Sequence, residues 1–255
     1  MLLENKVRKR ISSGKASLGG WCMTASVAAC EILAAAGFDW VCIDAEHSSV
    51  EAEKLQSMII AIENQEAEPF VRLALNSEIE SKKALDAGAS GIIVPMIKSY
   101  QDVEKAVSFV KYSPMGSRSF ALSRATGYGN YADSYFKSAN RWTFLVVMIE
   151  HIDAVKELDS IFSNENIDAV LVGPYDLSGS MGIPGDFTNE DFKKVINEID
   201  FKAKKYQVTM GIHEVHPTGE KIARYVKQGY KFIGCGIDTI FINESARNII
   251  KTRET

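Results

Sequence analysis

The 255-residue chain has only four cysteines, Cys22, Cys30, Cys42 and Cys235, and no two of them form a C-x-x-C pair. Their isolation argues against a disulfide framework or a zinc site and fits free thiols, at least two of them in apolar strand-like runs. No apolar run approaches the roughly 20 residues that a membrane helix needs. The opening MLLENKVRKRISSGK lacks the apolar stretch of a secretory signal. Cationic excess is also missing: the formal charge is -4, so neither nucleic acid nor an anionic membrane is an expected partner. These absences describe a cytoplasmic protein whose ligand is small.

With 46% hydrophobic and 24% charged residues, the composition suits one large globular domain or two small ones. A repeat along the chain favours a single domain over residues 1–255. Four stretches, AAAGFDWVCID (34–44), DAGASGIIVP (86–95), NENIDAVLVG (164–173) and KQGYKFIGCG (227–236), share one design. Each has Gly or Asn at the end of a helical pattern, a short polar link, then an apolar run of strand length. Four more runs have strand character: LGGWCM (18–23), PFVRLAL (69–75), FLVVMIE (144–150) and VTMGIHEV (208–215). Segments such as VEAEKLQSMIIAIENQ and YQDVEKAVSFVKY between them show apolar residues at helical spacing. Eight strands alternating with helices over this length predict a (β/α)8 TIM barrel of the α/β class. An open doubly wound sheet is the runner-up, because periodicity does not show closure. Residues 3–14 read as an N-terminal helix covering the barrel bottom. The insertion GSRSFALSRATGYGNYADSYFKSAN (116–140) reads as a long loop after strand four that shapes a site.

In such a barrel the active site lies at the carboxyl ends of the strands. Strand two ends in Asp44, Glu46 and His47, strand three carries Arg72, strand five ends at Glu150, and strand six leads through GPYDLS to Asp176. Lys98 follows strand four, His213, Glu214 and His216 end strand seven, and strand eight reaches Asp238. A single such carboxylate is most simply a solvated loop charge or a helix cap. Convergence of a histidine, an arginine and two carboxylates from four strands points to a site. Glu150 and Asp176 offer hard oxygen ligands suited to Mg²⁺ or Mn²⁺, with an acid/base carboxyl pair as the competing reading.

The residues FDWVCIDAEH, PFVRL, GASGIIVPMIKS, MIE and VGPYDLSGSMGIPG together resemble the HpcH/HpaI aldolase family, over about residues 17–245. The resemblance implies a metal-dependent class II aldolase, a carbon-carbon lyase that cleaves a 4-hydroxy-2-keto acid into pyruvate or a similar keto acid and an aldehyde. It implies that Glu150 and Asp176 hold Mg²⁺ or Mn²⁺, with Co²⁺ a further candidate. Arg72 then contacts the keto acid and steadies the enolate, and His47 moves the proton with Asp44 as its orienting partner. Backbone N–H groups at Tyr175 and Asp176 suit the substrate carboxylate. A homo-oligomer, a hexamer with active sites at subunit boundaries, is also implied. Many members carry Gln two residues before the metal-binding Glu, where this chain has Met148, and the insertion carries Tyr128, Tyr131 and Tyr135.

Rival chemistries have weaker footing. A class I aldolase needs a buried lysine, and Lys98 stands just before a helix where exposure is the default. HEVH (213–216) is not H-E-x-x-H, and its odd spacing sends His213 and His216 to opposite faces of a strand end. FIGCGIDT (232–239) superficially matches a phosphate loop, although close packing explains its glycines more simply. A biosynthetic enolate-condensing enzyme, or a noncatalytic metabolite-binding barrel, remains open on the same scaffold.

Overall fold

The structure, a computed structural model, describes residues 4–251 and Arg253. Eight strands, β1 (Ser17–Cys22), β2 (Trp40–Asp44), β3 (Glu68–Arg72), β4 (Gly91–Ile97), β5 (Phe144–Ile149), β6 (Ala169–Val172), β7 (Met210–Glu214) and β8 (Phe232–Cys235), pair in parallel and close in chain order. Pairing of β1 with both β2 and β8 rules out the open sheet. Around the barrel run α1 (Lys6–Ser12), α2 (Val27–Ala35), α3 (Ala52–Asn64), α4 (Glu78–Ala87), α5 (Tyr100–Val110), α6 (Ala132–Trp142), α7 (Ile152–Lys156), α8 (Leu158–Phe162), α9 (Pro174–Ser180), α10 (Glu190–Tyr206), α11 (Gly219–Gln228) and α12 (Asp238–Lys251). Among the described residues no helix is long and apolar enough to cross a membrane.

Strand alternation divides the core in two. Val41, Ile43, Val71, Ile92, Val147 and Val170 face the helices, whereas Trp40, Cys42, Phe70, Val146, Leu171 and Phe232 fill the barrel. Trp40 stacks on Phe232 with ring centroids 4.2 Å apart. This layer is possible because β1 has Gly19 beside it, where a Cβ would lie 2.1 Å from the Trp40 ring. Helix α1 closes the bottom by adding Val7 and Ile11 to the interior cluster. The predicted helix is therefore present as a plug, and residue 3 of its expected range lies outside the described residues. All four cysteines are buried and free, three on strands and Cys30 on α2.

The insertion lies after β4 as expected but departs from expectation in form. Its last third is α6, which buries Tyr135, Ser138, Ala139 and Trp142 at helical spacing. Helix α5 follows β4 and returns the chain to the bottom before the insertion begins, so the segment cannot line its own barrel's mouth. There Arg118 donates to Asp86 (2.9 Å) and to the Tyr135 hydroxyl (3.2 Å), and Arg124 bonds the Ala87 carbonyl (2.9 Å) and the Glu63 carboxylate. Asp86, Ala87 and Glu63 lie at the carboxyl ends of α4 and α3, which marks the end of the barrel opposite the mouth.

Candidate active site at the barrel mouth

Asp44 and Arg72 are register partners on β2 and β3, so their side chains leave the barrel wall side by side. Asp44 is fully buried and is surrounded by donors. It accepts from Trp21 Nε1 (3.0 Å), Arg72 Nε (3.2 Å), the second Arg72 nitrogen, and the backbone N–H groups of Glu46 and His47 (3.0 Å each). Burial alone would raise the carboxyl pKa, but the Arg72 hydrogen bond and charge override it and hold Asp44 below its ordinary value. Glu46 takes the other side of the guanidinium at 3.0 Å, and burial pushes its pKa up in spite of Arg72. Trp21 completes the clamp, with the Arg72 guanidinium carbon 5.2 Å from its ring centroid.

One expected contact is different. Asp44 does not orient the His47 ring; it binds that residue's backbone N–H and thereby fixes the turn after β2. The physical reason is spacing: three residues beyond a fully buried strand end, the His47 side chain is 59% exposed at the rim. Its Nε2 lies 3.8 Å from Glu46, the nearer carboxylate.

Across the mouth, Glu150 directly follows β5 and is 2% exposed. Its Oε1 accepts from the Met96 backbone N–H at 2.6 Å. The register of β4 slips between Val94 and Ile97, and Met96 adopts φ 53°, a conformation strained for a bulky side chain. The resulting bulge aims that N–H at the carboxylate. Room for Glu150 comes from β6: a Cβ on Gly173 would lie 2.5 Å from Glu150 Oε2. Burial, with Glu46 and Asp176 nearby, pushes the Glu150 pKa up to about 7 despite the Met96 hydrogen bond. Asp176 lies in the first turn of α9 and is exposed. With Met96, His151 and Tyr175 it lines a cleft of about 600 Å³. Tyr175 is 66% exposed and meets Phe187 edge-on at 5.0 Å.

The donor set suits a hard divalent cation. Glu150, just after β5, and Asp176, in α9 just after β6, offer carboxylate oxygens near one another, while Asp44 and Glu46 at the same mouth pair with the one guanidinium. Among the described residues no group of three or more His, Cys, Asp or Glu side chains forms a closed metal site. A two-carboxylate site leaves coordination positions for water and substrate, as open Mg²⁺ sites do.

The other candidates separate. Lys98 is exposed, without the burial that a Schiff-base lysine needs. His213 and His216 do face opposite ways: His213 stacks on Trp21 inside the barrel at 4.4 Å, whereas His216 pairs with Glu244 at the surface. Asp238 is used structurally, accepting from Met23 and Thr24 N–H at 2.9 and 3.1 Å and tying β1 to the start of α12. Trp21, Met96 and Gly173 escaped the sequence reading. Pro95 within an apolar strand was a readable sign of the bulge.

Comparison with known proteins agrees with the barrel fold. The HpcH/HpaI aldolase/citrate lyase family model matches residues 18–244. The chain is 35% identical to the 2-dehydro-3,6-dideoxy-6-sulfogluconate aldolase of Pseudomonas putida, covering 92% of this chain and 91% of that one. It is 31% identical to the 4-hydroxy-2-oxo-heptane-1,7-dioate aldolase of Escherichia coli, covering 96% and 93%. A solved HpcH/HpaI aldolase/citrate lyase family protein of Burkholderia cenocepacia J2315 superposes with TM-score 0.92 at 29% identity, over 98% of this chain and 100% of that one. The chain belongs to the HpcH/HpaI aldolase/citrate lyase family.

Proposed function

We propose that this protein is a class II aldolase that reversibly cleaves a 4-hydroxy-2-keto acid to pyruvate or a similar keto acid and an aldehyde. The observation that carries the reading is the opposition, across one barrel mouth, of a clamped arginine on β3 and a carboxylate pair from β5 and α9. Glu150 and Asp176 are the residues that would hold Mg²⁺ or Mn²⁺, with Co²⁺ a substitute. The bound cation supplies Lewis-acid stabilisation of negative charge developing on the keto oxygen.

Arg72 is presented as a rigid donor because Asp44, Glu46 and Trp21 hold it from three sides. It stabilises the same oxyanion without reorganising as the charge grows. The N–H groups of Tyr175 and Asp176 precede the first helical bond of α9, from Leu177 N–H to the Gly173 carbonyl, and are placed to receive the substrate carboxylate. In the cleavage direction His47 takes the proton from the C4 hydroxyl. The C3–C4 bond breaks, the aldehyde leaves, and the bond's electron pair remains on the keto acid as the enolate; the proton held by His47 then passes to C3, directly or through water, and His47 returns to its neutral form. Asp44 serves this step indirectly, by fixing the turn that carries His47.

The protein acts as a homo-oligomer, a hexamer in the reading that the family suggests, in the cytoplasm. Support comes from apolar side chains left at the surface: Phe120 (62% exposed), Leu122 (68%) and Tyr128 (69%) on the insertion, and Ile242 and Ile250 (64% each) on α12. The insertion, remote from its own mouth, can serve a mouth only in another copy.

The deciding experiment measures pyruvate release from a panel of 4-hydroxy-2-keto acids by chelator-treated enzyme, with and without Mg²⁺, Mn²⁺ or Co²⁺. Metal-restored activity that disappears in Glu150→Ala and Asp176→Ala is expected. Full activity after chelation would overturn the metal role.

A further inference from the structure

His213 is a polar group of the mouth that the mechanism leaves unused. On β7, Gly211 and His213 occupy the alternation that faces the barrel, and the His213 ring stacks on Trp21 of β1 at 4.4 Å and 19°. Strand β8 lies between β7 and β1, and the two rings meet across it because position 234 is glycine; a Cβ there would stand 2.9 Å from His213 Cδ2. His213 Nε2 is 3.1 Å from the Gly236 carbonyl oxygen, also beyond β8. A carbonyl only accepts, so Nε2 carries the proton and Nδ1 is left as an acceptor. The Cδ2–Nε2 edge of the ring thus faces β8, and the Nδ1 edge is turned away from it. Burial holds the ring neutral, with a pKa lowered to about 4.

The substrate geometry follows from the other strands and rests on the aldolase reading above. With the keto oxygen between Arg72 on β3 and the Glu150–Asp176 pair, the sector that remains for C3 is the one formed by β7, β8 and β1. Its wall includes His213, Trp21, Gly211 and Gly234, with apolar Met23, Ile237, Met148 and Leu171 in the same interior cluster. We propose that His213 is a specificity-determining residue whose Nδ1 accepts a hydrogen bond from a hydroxyl on C3 of the keto acid, so that a 3-hydroxy-2-keto acid is favoured over pyruvate as the nucleophilic partner. A methyl at C3 leaves the acceptor unpaired, and a carboxylate there meets a lone pair rather than a donor. Trp21 positions the ring, and its own N–H is already engaged by Asp44.

Exchange of C3 hydrogens into D₂O, followed by NMR with Mg²⁺ present and no aldehyde, tests this directly, since it reports enolate formation alone. Hydroxypyruvate and pyruvate are compared in the wild type, in His213→Phe, which keeps a ring for stacking, and in His213→Gln, which keeps an acceptor. The expected result is faster exchange of hydroxypyruvate by the wild type, a loss of about tenfold for hydroxypyruvate alone in His213→Phe, and partial recovery in His213→Gln. Retained pyruvate exchange shows that the variants are folded and the enolate chemistry intact. An unchanged hydroxypyruvate-to-pyruvate ratio in His213→Phe, or a wild type that exchanges only pyruvate, overturns the inference and leaves the aldolase reading standing. Exchange of neither keto acid overturns both.

Discussion

Gly173→Ala is the sharpest single test of how Glu150 is held. The added methyl carbon would lie 2.5 Å from Glu150 Oε2, 2.9 Å from its Cβ and 3.4 Å from its Cδ. Gly173 has φ -97° and ψ 91°, which alanine adopts without left-handed strain, so the substitution probes the contact rather than the backbone. Glu150 has little freedom to retreat, since Oε1 is tied to the Met96 N–H at 2.6 Å and the side chain is buried. Overpacking of this kind costs about 1–3 kcal/mol of stability. Displacing a ligand oxygen, like removing its supporting partner, lowers metal affinity by about 10–100-fold. Calorimetric titration with Mn²⁺ and a thermal melt give both numbers. In a Glu150→Gln background the same alanine should add little further loss of affinity, because the two changes act on one group. Wild-type metal affinity in Gly173→Ala would refute the reasoning, for it would mean that the carboxylate is not held where β5 and β6 place it.

Four further outcomes follow from the same geometry. Asp44→Ala leaves Arg72 with Glu46 alone and removes the acceptor for Trp21 and for two backbone N–H groups; a loss of about 3–5 kcal/mol in urea unfolding is expected, and a loss below 1 kcal/mol would show that the buried pair is dispensable. His213 has its pKa lowered from 6.5 to about 4, so the unfolded chain binds more protons than the folded one in that window. Stability should therefore be level in this respect above about pH 6.5 and fall by up to about 3 kcal/mol as pH drops toward 4, with a shallower slope in His213→Phe. Lys98→Met should retain cleavage activity, and its abolition would revive Schiff-base chemistry. Light scattering after size exclusion should find an oligomer that Ile242→Glu with Ile250→Glu weakens, whereas a wild-type monomer at micromolar concentration would contradict the assembly.

The barrel was legible because four helix-to-strand joints announce themselves through glycine or asparagine followed by an apolar run, and four more strand-like runs alternating with helical patterns leave few alternatives. Strand alternation also separates His213 from His216 correctly. What escaped the reading depends on the third dimension. Arg72, not the His47 ring, is the side-chain partner of the Asp44 carboxylate because parallel register sets residues 44 and 72 side by side, whereas residue 47 lies beyond the strand end and offers only its backbone N–H. Residues 116–140 do stand between β4 and β5, but that α5 intervenes and carries the chain back to the bottom was not legible. The roles of Gly173 and the Met96 N–H are invisible to composition, since one acts through a missing side chain and the other through the backbone.

The mouth assigns different fates to chemically similar groups, and that asymmetry explains its division of labour. On the β2–β3 side, Asp44 and Glu46 both close on Arg72, so their charge is largely answered within the chain, and the guanidinium becomes a fixed donor. On the β5–β6 side no guanidinium or ammonium pairs with Glu150 or Asp176 among the ion pairs of the described residues. Burial of Glu150 beside a second carboxylate is unfavourable unless a proton or a cation joins them. The neutralised half is thus suited to steadying an oxyanion without moving, while the unanswered half is suited to binding a cation together with the substrate. An enolate-forming reaction needs both halves at one site, and a closed parallel barrel provides that by placing the carboxyl ends of β3 and β5 on one rim.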